Sequence, residues 1–245
     1  MPDLAKTCPP LAGIIVSADD FGKNSSTNKN ILELLSLKKL HRVSVMINGT
    51  FSTEEVRLLL DSSVKLDLHL NFFNLLEGGP HSKEEVSILG RLSVFLKNYL
   101  LGKIKVSAVK KDWTTQLEKF HTIFGKYPDG LNSHEHIHFF PPYFKIISDL
   151  AQKSKITYVR FGKKDFLQAN NFVSWVIFGL KKINRRRFLA AGLDSADFLI
   201  SLDWLKEEAL RETKNLPCGE IELIIHPGII AEMEKMKFYT PIISD

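Results

Sequence analysis

Two adjacent carboxylates, Asp19 and Asp20, close the apolar, β-branched run Ile14-Ile15-Val16-Ser17-Ala18 and are followed by Phe21-Gly22. The run reads as a buried strand. A strand that stops in paired acids carries charge to the edge of a core, and in α/β sheets and barrels the carboxyl ends of the strands are where ligands bind. Successive side chains of an extended strand face opposite ways. The two acids therefore share one site only if the strand ends there, in a turn that Gly22 permits. Taken alone, the pair fits a solvated turn equally well.

Its partners lie downstream. Between Leu66 and Phe72, Leu66, Leu68, Leu70 and Phe72 take one parity and Asp67, His69 and Asn71 the other. As a strand, this segment has one greasy face and one face bearing a carboxylate, an imidazole and an amide. A lone histidine on such a face is more often structural than functional. The stretch Gly130 to Pro141 is richer: Asn132, His134, His136 and His138 share a parity. Extended, they would set three imidazoles and an amide on one face. Metal ligation needs neutral imidazole nitrogens converging at about 2.0–2.1 Å from one ion. Same-face histidines of a single strand are spread along its length, so one or two ligate at most and the others line a cleft or support the ligands. An artificial His-rich tract does not fit a stretch that sits between a turn and a Pro-started helix. The last apolar run, Glu220 to Ile225, ends in His226-Pro227-Gly228.

Four strand ends thus carry Asp19-Asp20, His69, His134 and His226. One carboxylate with two histidines makes an open metal site with room for water and substrate. A second carboxylate beside it can serve as a base and a further histidine as an acid. These residue types point to metal-assisted hydrolysis.

The elements that must position these groups alternate. Lys23-Asn24-Ser25-Ser26-Thr27 offers helix N-caps ahead of Ile31, Leu32 and Leu35. Val43 to Ile47 predicts a strand that ends in Asn48-Gly49. Ser52 or Thr53 can cap a helix carrying Val56, Leu59 and Leu60. Glu77-Gly78-Gly79-Pro80 reads as a loop and Glu84 to Leu101 as a helix. Trp113, Leu117, Phe120 and Phe124 form a helical stripe for core packing, stopped by Gly125 and Pro128. A helix with Tyr143, Ile146, Ile147 and Leu150, a short strand Ile156–Val159 ending in Arg160, a helix Asn171–Arg186, a strand Phe198–Ile200 and a helix Trp204–Thr213 follow. Strand–helix alternation of this kind predicts an α/β fold on parallel strands. No repeat, low-complexity segment or linker divides the chain, so residues 1–245 read as a single domain.

Composition fits that reading. The 245 residues are 44% apolar and 25% charged, as in ordinary globular proteins, and suffice for one large α/β core. The net charge of +5 is mild. Basic residues cluster in Lys181-Lys182-Ile183-Asn184-Arg185-Arg186-Arg187, which reads foremost as the solvated end of a helix and alternatively as a contact to an anionic surface. Cys8 and Cys218 make neither a disulfide framework nor a zinc-site pair, which fits a reducing compartment and a cytoplasmic location. No signal peptide is apparent. Phe172 to Leu180 is apolar but too short to span a bilayer.

The motifs Ser17-Ala18-Asp19-Asp20-Phe21-Gly22, Val45-Met46-Ile47-Asn48-Gly49, Leu68-His69-Leu70-Asn71 with Glu77-Gly78, Ser133-His134-Glu135-His136-Ile137-His138 with Pro141, and His226-Pro227-Gly228 occur in this order over nearly the whole chain. Together they resemble the YdjC-like family of carbohydrate deacetylases, also called the chitooligosaccharide deacetylase and hopanoid-associated family. The resemblance implies an irregular (β/α) barrel of mostly parallel strands, like that of other polysaccharide deacetylases, with a divalent metal at its top. It implies Asp20, His69 and His134 as metal ligands and Asp19 as general base. By analogy with related sugar deacetylases it gives His226 as the acid for the leaving amine, with Arg160 orienting Asp19. Asn71, Asn132, His136 and His138 become candidates for supporting the ligands or binding substrate. The implied reaction is N-deacetylation of acetylated carbohydrates such as chitooligosaccharides. The implied ion is magnesium, while the ligand set also suits zinc. The expected partner is the oligosaccharide, with no nucleic acid and no membrane span, and a homodimer is allowed. Two departures stand out: Asn132 occupies a position where the family usually has Asp, and the chain ends soon after His226-Pro227-Gly228. They admit a non-catalytic sugar- or metal-binding descendant, while the basic run near Arg185 and the apolar stretch before it admit a hydrolase of another amide or ester, such as a deacetylase of a lipid-linked, hopanoid-type sugar.

Overall fold

A computed structural model describes residues 13–72, 97, 99, 104–165, 172–204 and 217–238. Within them β1 (Ile14–Phe21), β2 (Arg42–Val45), β3 (Lys65–Leu70), β4 (Gly130–Ser133), β5 (Tyr158–Val159), β6 (Phe198–Ser201) and β7 (Ile221–Ile225) form one sheet. Its order is β5-β4-β3-β2-β1-β7-β6, and every pairing is parallel. The described helices are α1 (Ser25–Ser36), α2 (Thr53–Leu60), α3 (Val106–Phe124), α4 (Pro141–Lys153), α5 (Phe172–Ala190) and α6 (Ile230–Phe238).

The sheet curls until its edges approach. Tyr158 of β5 forms a parallel bridge to Asp194, just ahead of β6. Val159 N–H donates to the Asp194 carbonyl at 3.0 Å, and Asp194 N–H to the Thr157 carbonyl at 2.8 Å. The result is the irregular (β/α) barrel expected from the sequence. β2, β4, β6 and β7 are buried along their whole length, the burial of a parallel sheet covered by helices outside and filled inside. In β3, Leu66, Leu68 and Leu70 belong to the same apolar core as Trp113, Leu117, Phe120 and Phe124 of α3. That aromatic stripe is core, as expected. Truncating a side chain such as Trp113 costs about 3–5 kcal/mol.

Local chemistry sets the turns that feed the site. Asn24 caps α1, its Oδ1 accepting from Thr27 N–H at 2.8 Å. Ser52 and Glu55 form a capping box at α2. Gly125 ends α3 in the left-handed region, and Pro141 opens α4. The expected loop at Glu77–Pro80, the helix Glu84–Leu101 and the helix beyond Trp204 lie outside the described residues, apart from positions 97 and 99. Among the described residues no helix is long and apolar enough to cross a membrane. Cys218 is disulfide-bonded, so the reduced cysteines expected from composition, and the inference of compartment drawn from them, are not borne out.

Candidate active site

β1 does not stop at its acid pair. Its register against β2 shifts between Ala18 and Phe21, Asp20 adopts φ +73°, and the strand runs on to Phe21. A bulge, not a strand end, brings the two consecutive carboxylates to one site. A left-handed non-glycine residue costs roughly 1–3 kcal/mol and persists where its surroundings hold it. Here Lys23 N–H donates to the Asp20 carbonyl at 3.0 Å, and Lys23 Nζ sits 3.2 Å from Asp20 Oδ2. Gly22 follows at φ +97°, where a Cβ would lie 2.6 Å from the Met46 carbonyl.

Asp20 Oδ1 faces two imidazoles. His69 Nε2 of β3 lies 3.3 Å away, and His134 Nδ1, just past β4, lies 3.0 Å away. Ligating atoms of Asp20, His69 and His134 all fall within 4.8 Å of one another. Behind His69, its Nδ1 meets Asn132 Oδ1 at 2.5 Å. The amide of Asn132 is oriented by donation from Nδ2 to Ser44 Oγ at 2.9 Å. Oδ1 only accepts, so Nδ1 of His69 turns a proton toward it, and Nε2 is the ring nitrogen that faces Asp20. Burial opposes charge on Asp20, but His134 and His69 outweigh it and hold the carboxyl well below its ordinary range.

Asp19 is tied to the opposite side of the barrel. Arg160, the residue after β5, donates from Nη1 to Asp19 Oδ2 at 2.6 Å and from Nη2 to Oδ1 at 2.8 Å. This two-pronged geometry fixes the carboxylate plane. Arg160 Nε also donates to Glu222 Oε1 of β7 at 2.7 Å, and Nη2 to Ser17 Oγ at 2.8 Å. Tyr158 Oη donates to the other oxygen of Glu222 at 2.6 Å. Arg42 stacks over the Tyr158 ring at 3.9 Å and pairs with Asp67 through Nε and Nη2 at 2.8 and 2.5 Å. The barrel interior is therefore a closed polar lattice. Burial favours neutral Asp19, yet Arg160, and then His69, keep it ionised far below the ordinary carboxylate range. For Asp67 burial wins over Arg42, and its carboxyl is pushed up.

The histidine stretch is not extended past Ser133. It coils as a 3₁₀ segment, His134–Phe139, with Glu135 and His136 both left-handed at φ 52° and 55°. The expected single face of three imidazoles is thereby broken, and the rings take three separate jobs. His134 joins Asp20. His136 packs against Trp204, ring centroids 6.1 Å apart, and its buried Nδ1 has no hydrogen-bond partner. His138 is fully buried, with Nδ1 2.7 Å from Ser133 Oγ and Nε2 2.9 Å from the Arg160 carbonyl. It fastens the strand end that carries Arg160. Burial depresses His136 well below its ordinary value and His138 to about 3, so both are neutral. Asn71 is buried at the top of β3, its carbonyl accepting from Trp113 Nε1 and Gln116 Nε2 of α3 at 3.2 and 2.9 Å.

His226 follows β7. Its N–H donates to Glu232 Oε2 at 2.7 Å, and its Nδ1 lies 3.6 Å from Glu232 Oε1. Burial alone would lower its pKa, but the Glu232 carboxylate beside the ring and the charges of Asp20 and Asp19 raise it to about 9. His226 is thus a cation at neutral pH. The sequence reading missed Glu232, Glu222, Ser44 and Lys23. Glu222 carried a usable signal, an acid inside the apolar strand Ile221–Ile225, where burial demands a paired charge.

The family profile described as YdjC-like protein matches residues 13–241. The chain belongs to the YdjC-like family. Among curated relatives it is similar to the carbohydrate deacetylase of Mus musculus, 24% identical over 157 residues, covering 62% of this chain and 51% of the relative. The Homo sapiens protein of the same name is 24% identical over 157 residues, covering 62% and 49%. The chain spans about half the length of these relatives. The chitooligosaccharide deacetylase of Citrobacter koseri is 25% identical over 236 residues, covering 92% of this chain and 85% of the relative. A crystal structure from Enterococcus faecalis V583, of a protein named provisionally for cellobiose-phosphate cleavage, aligns with a TM-score of 0.59 at 18% identity. It covers 87% of this chain and 80% of that one, and it shows the shared fold.

Proposed function

We propose that this chain is a metal-dependent hydrolase that removes the N-acetyl group from acetylated amino sugars of the chitooligosaccharide class. The observation that carries the reading is the convergence of Asp20, His69 and His134 beside a second carboxylate, Asp19. The names of the relatives, carbohydrate deacetylase and chitooligosaccharide deacetylase, support the substrate class.

The residues fit a divalent cation. His69 Nε2 and an Asp20 carboxylate oxygen face each other at 3.3 Å, so that a proton or a cation can sit between them. Around the barrel interior four buried carboxylates, Asp19, Asp20, Asp67 and Glu222, face two buried guanidiniums, Arg42 and Arg160. Two imidazoles among three ligands suit zinc and its neighbours better than magnesium, whereas the family resemblance suggests magnesium; metal analysis of the purified protein separates the two.

Asp20, His69 and His134 would hold a divalent ion, which would supply Lewis acidity toward an acetamide carbonyl and a nearby water. Asp19, ionised and fixed in orientation by Arg160, accepts the proton of that water. The Arg160 bonds make Asp19 a weak base, so it works only on water whose acidity has been raised. His226, protonated at neutral pH, donates to the departing sugar amine. His136 Nδ1 and Asn48 Nδ2, both buried and unpartnered, are available for substrate hydroxyl or carbonyl groups.

The binding-only alternative draws on Asn132, but that amide still accepts the His69 proton, as a carboxylate would. The test is acetate release from acetylated chitooligosaccharides by metal-loaded and chelator-treated protein. Metal-dependent release supports the proposal. Sugar binding without acetate release would make the chain a non-catalytic descendant.

A further inference from the structure

The whole net charge of this protein sits on one helix. The chain carries 33 basic and 28 acidic side chains, a difference of +5. α5 alone holds Lys181, Lys182, Arg185, Arg186 and Arg187 and no acidic residue, so the rest of the chain is balanced. Its outer stripe steps through Trp175, Gly179, Lys182, Arg186 and Leu189, all exposed, the spacing of a single helical face. Trp175, Ile183 and Leu189 are 54, 64 and 63% exposed. Lys182 Nζ lies 4.1 Å from the Phe178 ring centre. At α2 and on α4 a helix cation pairs with an acid four residues on, Arg57 with Asp61 and Lys145 with Asp149. Lys182, Arg186 and Arg187 make no ion pair among the described residues.

A merely solvated cationic face has no use for exposed tryptophan, isoleucine and leucine. A nucleic-acid backbone gains nothing from aliphatic side chains. Cations interleaved with aromatic and aliphatic groups on one helix face match the interface of an anionic bilayer, where apolar tips enter the headgroup boundary and lysine and arginine meet the lipid charge. We propose that the outer face of α5 docks the protein peripherally on anionic lipid membranes. The inner side of the same helix supports this placement. Ser174, Ile177 and Lys181 line a pocket with Trp204, and Trp204 packs on His136 in the candidate site. Docking through α5 therefore brings the cleft close to the lipid surface.

The test is flotation of the full chain with vesicles of phosphatidylcholine alone or mixed with phosphatidylglycerol. Binding to the mixed vesicles only, weakening as salt is added, is expected. Each interfacial cation contributes roughly fivefold in affinity, so Lys182→Ala with Arg186→Ala should weaken binding about 25-fold. Trp175→Ala should also weaken it while leaving the salt dependence intact. Acetate release from soluble chitooligosaccharides should not change in any of these variants, which separates this proposal from the deacetylase reading. Absence of binding to the mixed vesicles, or binding unchanged by the paired substitution, overturns the proposal. So does binding that Trp175→Ala leaves intact, because charge alone would then account for it.

Discussion

Replacing Glu232 by Gln removes a charge 3.6 Å from His226 Nδ1 while keeping an oxygen that can accept the His226 N–H. Glu232 supplies the largest of the effects that raise His226 from its ordinary 6.5 to about 9. Removing that effect should lower the pKa by roughly 1 unit at least and by the full rise at most. The direction for catalysis follows from the donor role: the acid works when protonated, so activity falls as pH climbs through its pKa. The alkaline limb of acetate release should move toward acid. If the pKa drops to about 7, the variant retains nearly full relative activity at about pH 6 and roughly a tenth at about pH 8. Stability moves in the same sense. A pKa raised in the folded state stabilises the protein fully below the unfolded value, and this contribution is lost as pH rises through the folded one. The parent should therefore lose stability between about pH 6.5 and 9, by at most about 3 kcal/mol and by less because the His226 side chain is 28% exposed. The variant should lose less. Acetate release against pH, thermal melts across the same range and an NMR titration of His226 read these effects. An alkaline limb and an imidazole titration unmoved by Glu232→Gln would refute the assignment of His226 as an acid tuned by Glu232.

Asp20→Ala, His69→Ala and His134→Ala should each lower bound divalent metal together with activity, whereas His136→Ala and His138→Ala should keep most metal by elemental analysis. Full occupancy in His134→Ala would place the ligand elsewhere. His138→Ala should instead cost stability, about 1–3 kcal/mol for each buried group left unsatisfied, because Ser133 and the Arg160 carbonyl lose their partner. Asp19→Asn should retain metal and lose about 10²–10⁴-fold in turnover, with a lower melting temperature because Arg160 loses half of its buried pairing; near-normal turnover would assign the base to another group. Asn132→Asp keeps the acceptor for His69 and adds a charge, and Ser44 can donate to the new oxygen, so metal affinity or turnover should rise by up to about 10–100-fold. No change in a metal titration and an acetate-release assay run side by side would show that Asn132 acts only as a strand residue.

Local patterning was enough to read the parallel α/β architecture and the strand ends that carry the candidate site. Strand period, helix stripes and caps are local, so Leu66–Phe72, the Trp113–Phe124 stripe and the Ser52 cap could be read without the fold. Acids and histidines at successive strand ends must meet at the carboxyl edge of parallel strands, which is why Asp19-Asp20, His69, His134 and His226 were legible as candidates for one site, while the choice of Asp20, His69 and His134 as ligands came from the family resemblance. Tertiary structure alone decided how they meet. The bulge at Asp20 depends on pairing with β2, and no residue type in Ser17–Gly22 announces it. The coil at Glu135 and His136 breaks the parity of the alternating sequence. The pairing of Arg160 with Asp19, 141 residues away, was expected from the sequence, but its second pairing, with Glu222 of β7, was not. Only barrel closure brings those strands face to face, and a buried guanidinium is then held by whatever carboxylates that closure supplies.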